Sequence, residues 1–325
     1  MTKKRFFLLL LVGISSCFLQ ASSKKSTKIP VLFTSNSFDP IVFAEIDGKK
    51  YFLLFDIGMS NKLSLENLIL RQRNVDLLDK VNVTYDFKGN IYNSPTYIIP
   101  NIRVGPIFLQ TCEAVEENLD FYTNTGLWTN SRTIKRLYHG RIGRKFFENS
   151  CVLVDFPNSA IFIEKNMEEL KKNGTIDIEN FYQVHFFINK GVVYITIQTE
   201  LGQHNVVFDT GASFSILNQK IVAPEQIMRT SSGKAYFSSK KLQINGCDFL
   251  DWDFAVTQIS DSVGTDGFIG VDFFLEHAVC FDFQNNIAYI QKPGNFFITQ
   301  WQRCKYHLTQ IYLKYFTGFL NEEDL

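Results

Sequence analysis

Histidine is scarce in this chain, 5 residues in 325, and no HExxH pair occurs, so the sequence offers no zinc-hydrolase signature. Cysteine is equally sparse. Cys17, Cys112, Cys151, Cys247, Cys280 and Cys304 form neither a CxxC nor any zinc-type spacing. An excess of charge is missing too: 33 basic residues balance 33 acidic ones, with no long run of either sign. That leaves no basic stripe with which to hold nucleic acid and no charged tail. No apolar run reaches the roughly 20 residues that a membrane-crossing helix needs. The segment Gly211-Ala-Ser-Phe-Ser lacks the closing glycine of a nucleophile elbow, which removes the best serine-hydrolase candidate.

What the chain has in abundance is phenylalanine, 32 residues within a composition that is 45% hydrophobic. Aromatic side chains fit pleated surfaces, so the expectation is a β-rich core, large enough for one big unit or two modest ones. The N-terminus has its own character. Lys3, Lys4 and Arg5 precede the apolar run Phe6 to Ile14, the pattern of a secretory leader over residues 1–21. Ile14-Ser15-Ser16-Cys17 resembles a bacterial lipobox, with Cys17 as the lipidated residue; cleavage nearer Ala21 is the alternative, and both stay open. Either way the expectation is an exported protein of the periplasm or cell envelope, soluble or lipid-anchored. Such a compartment permits disulfides, but Cys151 and Cys280 lie in strongly apolar strand-like segments and are expected to be buried free thiols.

The chain is organised around Val206-Val207-Phe208-Asp209-Thr210-Gly211-Ala212-Ser213. An apolar strand delivers a single carboxylate to a small-residue turn, and Thr210 and Ser213 place hydroxyls beside it. A carboxylate held at the end of a buried strand is costly unless it is hydrogen-bonded. Downstream come a glycine-tipped hairpin at Ser232-Gly233-Lys234, then Gly267-Phe-Ile-Gly-Val-Asp-Phe-Phe, then the strand-like Ala278 to Phe283.

The first half repeats this order. Gly140-Arg-Ile-Gly-Arg-Lys-Phe-Phe matches the segment from Gly267. The same constant offset pairs Val152 with Val279, Asp155 with Asp282, Asn158 with Asn285 and Ile163 with Ile290. Tyr51-Phe-Leu-Leu-Phe-Asp56-Ile57-Gly58-Met59-Ser60 aligns with the segment around Asp209, and each is preceded by a hairpin. A second hairpin, Val81 to Tyr92, carries Lys88-Gly89-Asn90 at its tip. Residues 118–138 form an insertion absent from the second copy. Met167 to Lys172 has the pattern of a short helix that stops at Asn173-Gly174 and links the copies. Beyond residue 294, Leu308, Tyr312, Tyr315 and Phe319 share one face of a helical tail.

Asp-Thr-Gly-Ala-Ser, a glycine-tipped hairpin and Ile-Gly-x-Asp-Phe-Phe, in that order, resemble the retropepsin-like aspartic proteases. Two such units in one chain look like the bilobal, pepsin-like arrangement of the same clan. The resemblance implies an all-β fold of two retropepsin-like β-barrel lobes with a short helical tail. Its divisions would be the leader (1–21), an N-terminal lobe (28–166), a C-terminal lobe (175–293) and the tail (294–325). It also implies that Asp56 and Asp209 form a catalytic pair and that Thr210, Gly211, Ser213, Gly58 and Ser60 support them. Tyr85, Gly89, Tyr92 and Gly233 would belong to flaps over a peptide or protein substrate. Two carboxyls a few ångströms apart cannot both ionise comfortably and share a proton, so the chemistry requires no metal and no cofactor.

Two departures stand out. Ile57 replaces the threonine whose hydroxyl, in the family, crosses to the other lobe, and Met59 replaces a small residue. Three readings follow: an exported, monomeric aspartic endopeptidase; a peptide-binding or structural protein of the cell envelope that kept the fold after its site decayed; and a homodimer in which only the second lobe is active.

Overall fold

The computed structural model describes residues 27–33, 38–71, 75–117, 138–249 and 251–294. The expected leader with Cys17, residues 118–137 of the expected insertion and the expected tail from residue 295 lie outside that set. Among the described residues no helix is long and apolar enough to cross a membrane.

Among the described residues the strands form three sheets. An eight-stranded sheet belongs to the first copy and a ten-stranded sheet to the second. Each is assembled around the same unit. In the first, the hairpin Pro40–Ile46/Lys49–Asp56 is antiparallel, and its second strand runs parallel to Gly140–Gly143. In the second, Val192–Thr199/Gly202–Phe208 forms the hairpin, and its second strand runs parallel to Gly267–Ile269. Asp56 and Asp209 therefore stand at corresponding strand ends. The reason is visible in the residues: Leu53, Leu54 and Phe55, like Val206, Val207 and Phe208, are buried, and each run ends on a carboxylate.

The third sheet joins the copies. Its six strands run in the order 27–30, 160–164, 151–155, 279–282, 287–291 and 181–185, so three come from each side of Met167–Lys172. At its centre Cys151–Asp155 pairs antiparallel with Val279–Asp282. The expected repeat reappears here in detail. Asn158 donates to both oxygens of Asp155 at 3.0 Å, and Asn285 donates to Asp282 at 2.8 Å. The residues closing these turns, Ser159 and Asn286, adopt left-handed φ of 52° and 54°. The linking helix spans Met167–Lys172 as its pattern suggests; Asn166 caps it by accepting from the Glu169 amide, and Gly174 follows its end with φ 66°.

Phenylalanine explains how the halves become one body. Phe55 packs on Phe156 with ring centres 6.3 Å apart, Phe156 on Phe274 at 6.1 Å, and Phe274 on Phe208 at 5.6 Å. This chain of rings connects the residues immediately before the two aspartates, and one contiguous apolar core runs from Ile29 to Ile290. Cys151 and Cys280 are buried free thiols in a smaller satellite cluster with Leu153 and Leu170.

Candidate active site

The two aspartate turns are built alike. The Met59 amide donates to Asp56 O at 3.1 Å, and the Ala212 amide donates to Asp209 O at 3.2 Å. Each turn is then gripped by the repeated glycine segment: the Arg144 amide donates to Met59 O at 3.2 Å and the Val271 amide to Ala212 O at 2.8 Å. One bond within each turn and one from the distant glycine segment aim both carboxylates at the boundary between the lobes.

The carboxyls meet there. A Cβ placed on Gly211 would fall 2.7 Å from Asp56 Cγ, and one placed on Gly58 would collide with the Asp209 carboxyl. Glycine is required at both positions because each turn backs onto the opposite aspartate. Asp56 and Asp209 lie within hydrogen-bonding reach of each other. Asp56 Oδ1 is buried with no N–H or O–H donor, and a proton on Asp209 is the neighbouring donor able to satisfy it. Burial raises both carboxyls. For Asp209 the effect, strengthened by the adjacent Asp56 and opposed by the Gly211 amide at 2.8 Å, brings the pKa to about 8. For Asp56, burial also dominates, with Arg141 pulling the other way.

Thr210 holds the lobes in register. Its hydroxyl donates to Phe55 O at 2.7 Å and accepts from the Ile57 amide at 2.9 Å, and the residue is fully buried. Ile57 cannot return the favour, so the crossing is one-sided. Neither Ile57 nor Met59 intrudes between the carboxyls: Ile57 is fully buried in the core, and the Met59 methyl packs toward Gly143. Other contacts take over at the boundary. Arg144 Nε donates to Gly191 O at 2.9 Å while its guanidinium lies 5.7 Å from the Phe283 ring centre, and Ser60 packs against Gly191.

Some expected supports are differently placed. Among the described residues, neither the Ser60 nor the Ser213 side chain has a hydrogen-bond partner. The hydroxyl that braces the second turn is Ser215, two residues further on: it donates to Asp272 at 2.8 Å and accepts from the Gly270 amide at 3.1 Å. Asp272 is partly buried, and desolvation is the main cause that raises its pKa to about 6, against the Ser215 and Phe273 donors that favour its ionised form. The first flap hairpin is longer than the sequence suggests, Asp76–Tyr85 with Ile91–Val104. Tyr92 is buried with its hydroxyl on Asp86, while Tyr85 is exposed. Gly89 stands at the tip with φ 86°, against Ser260 and Ser262 of the opposite lobe, and the Ser260 amide donates to Phe87 O at 2.8 Å. Gly233, at the other hairpin tip, has open space around it.

The group that sequence reading passed over is Arg141. Its Nη1 lies 3.2 Å from Asp56 Oδ2 and its Nη2 3.1 Å from Glu117 Oε1. Ser64 in turn donates to Glu117 Oε2. The signal was available: within the repeated Gly-x-Ile-Gly segment a charged residue stands where the other copy has Phe268. Among the described residues, no cluster of three or more His, Cys, Asp or Glu is arranged to hold a metal ion.

No family model matches the sequence, and no curated protein matches it. Solved structures do match in shape. An aspartic proteinase from Irpex lacteus superposes with a TM-score of 0.54 at 10% identity, over 82% of this chain and 97% of that one. Basic 7S globulin from soybean gives a TM-score of 0.52 at 9% identity, over 82% of this chain and 95% of that one. At such identities the likeness establishes the architecture alone: the chain has the bilobal pepsin-like fold.

Proposed function

We propose that the protein is an aspartic endopeptidase in which Asp56 and Asp209 share one proton and activate a water between them. The observation that carries this reading is the pair itself: two carboxyls brought together by equivalent turns, backed by glycines that nothing larger could replace. In such a pair the ionised carboxylate takes a proton from water as it attacks the scissile carbonyl. The protonated carboxyl donates to the carbonyl oxygen as the tetrahedral gem-diol forms, so the pair stays singly ionised with its proton now on the other carboxyl; that proton passes to the departing amine while a gem-diol hydroxyl gives one back to the pair. The hairpin at Gly89, already bridging to the opposite lobe, would close over the peptide. Export to the periplasm or cell envelope, with or without lipid on Cys17, and action as a monomer belong to the same proposal and rest on the sequence.

The test is peptide-pool cleavage across acid and neutral pH with Asp56→Asn and Asp209→Asn variants. Each substitution is expected to reduce turnover to background, a loss of at least about 10³-fold by comparison with other catalytic groups. Because the pair needs one proton and Asp209 holds it up to about 8, cleavage should fall as pH rises through that value. Full activity in either variant overturns the pair.

A second reading, a peptide-binding protein that no longer turns substrate over, is favoured by the one-sided Thr210 crossing and by the cation bound to Asp56. Tight peptide binding without Asp209-dependent cleavage would establish it.

A further inference from the structure

We propose that Arg141 is a positioning residue of the aspartate pair, holding its single negative charge on Asp56 and leaving Asp209 as the carboxyl that carries the proton. The inference rests on the reading of Asp56 and Asp209 as a working pair, and it adds what breaks their equivalence.

The two lobes are related closely enough to show what has changed between them. In the first, Leu54 is paired with Arg141, and Arg141 with Ser64 on its other side. In the second, Val207 is paired with Phe268, and Phe268 with Ile216. The neighbouring parallel strand places Glu116 beside Leu65 in one lobe and Val256 beside Leu217 in the other, so Glu117 corresponds to Thr257. Three adjoining positions that are Ile216, Phe268 and Thr257 in one lobe are Ser64, Arg141 and Glu117 in the other. A single charged side chain at such a place would be an expensive accident. A cation, its counter-ion and a hydroxyl that binds the counter-ion support one another.

The geometry of the unit points at one carboxyl. Glu117 is fully covered and grips the guanidinium through Nη2 and Nε, at 3.1 and 3.3 Å. The gripped guanidinium presents Nη1 to Asp56 Oδ2. Among the described residues Asp209 has no such partner; its carboxyl accepts from the Gly211 amide on its own turn. The charged groups acting on Asp56 are Arg141, Glu117 and Asp209, and those acting on Asp209 are Asp56 and Arg141. An opposite charge in direct contact favours the ionised form, and of the two carboxyls only Asp56 has that contact. Glu117 offsets part of the cation's field, so its removal should leave Arg141 more effective on Asp56.

The experiment follows the carboxyl signals of ¹³C-aspartate-labelled protein by NMR from acid to alkaline pH without substrate, with Asp56→Asn and Asp209→Asn variants for assignment. Peptide-cleavage profiles are measured alongside. In the native chain Asp56 should ionise in the lower of the pair's two steps. The double variant Arg141→Met/Glu117→Gln removes both buried charges together; it should raise the lower step, by less than the roughly one to three pH units that an unopposed cation is worth. Glu117→Gln alone should lower it, and Arg141→Lys should restore part of the native position. Where cleavage occurs, the acid limb of kcat/KM should move with that step.

A lower step that stays in place in both folded variants, or Asp209 ionising first, overturns the proposal. If no peptide is cleaved under any condition while the step moves as described, the endopeptidase reading fails and the role of Arg141 stands. If Asp209-dependent cleavage is found with unmoved steps, the reverse holds.

Discussion

Thr210 is one hydroxyl asked to serve two lobes. Removing it takes from the Ile57 amide and the Phe55 carbonyl the hydroxyl they share at the buried boundary, where an unmatched group costs about 1–3 kcal/mol. Thr210→Val should therefore destabilise the protein by about that much in denaturant unfolding, whereas Thr210→Ser, which keeps the hydroxyl, should cost less. Asp209 makes a prediction of the opposite kind. Its pKa is raised in the folded state, to about 8, above an ordinary carboxyl value of about 4, so the folded chain binds the proton more tightly than the unfolded chain between those limits. Stability then falls as pH rises from about 4 to about 8 and levels off above. Asp209 is partly exposed, so water blunts the effect to a contribution of about 1 kcal/mol. Asp209→Asn should flatten that slope and raise the unfolding midpoint at pH 8 relative to pH 5; an unchanged slope would mean that other groups produce it. The residues that carry these effects differ in how readable they were. Asp209 and Thr210 sit in a contiguous motif between apolar strands and could be found by reading along the chain. Arg141 and Glu117 could not be tied to the pair that way, because their contact depends on which strands become neighbours. Even so, an arginine aligned with Phe268 was a visible irregularity in the repeat.

At the scale of elements, the hairpin Asp76–Tyr85/Ile91–Val104 differs most from its counterpart. Its tip is organised by the buried Asp86, which accepts from the Lys88 and Asn90 amides, each at 2.9 Å, from Asn90 Nδ2 and from Tyr92. The sequence showed glycine at the tip and strands on either side. It did not show that Tyr92 would turn inward to Asp86, since alternation alone does not say which face is covered. Nor could local pattern reveal that the tip ends against Ser260 of the other lobe. Gly89 joins these facts. Its φ of 86° disfavours any side chain, and an added Cβ would lie 2.5 Å from Ser260 Oγ. Gly89→Ala should cost about 1–2 kcal/mol from the backbone alone, spent on the tip. The Ser260 amide, bonded to Phe87 O, should exchange its hydrogen faster while strands distant from the tip keep their protection. Unaltered exchange at Ser260 would mean that the hairpin and the second lobe are not held together in solution.

Over the whole molecule, duplication was legible because it is a statement about order and spacing: the Asp155–Asn158 and Asp282–Asn285 turns repeat down to their hydrogen bonds. The six-stranded sheet was not, since its central pairing joins residues 151–155 to 279–282, far apart in the chain and similar in pattern to any other buried strand. That sheet, with the ring chain from Phe55 through Phe156 and Phe274 to Phe208, packs the two lobes on one shared core. Phe156 is where this can be tested. It is 2% exposed and touches Phe33 and Phe55 of the first lobe and Phe274 of the second. Phe156→Ala should cost about 3–5 kcal/mol through lost burial and the cavity left behind. If the lobes are coupled as the core implies, the loss is shared: heating should give a single transition displaced downward, with Trp252 fluorescence in the second lobe and the amide protection of Lys49–Asp56 in the first failing together. Two separated transitions, with the Trp252 signal unmoved, would show that the lobes fold independently. The Asp56–Asp209 distance would then be set by the Thr210 and Arg144 contacts at the boundary and not by the shared core.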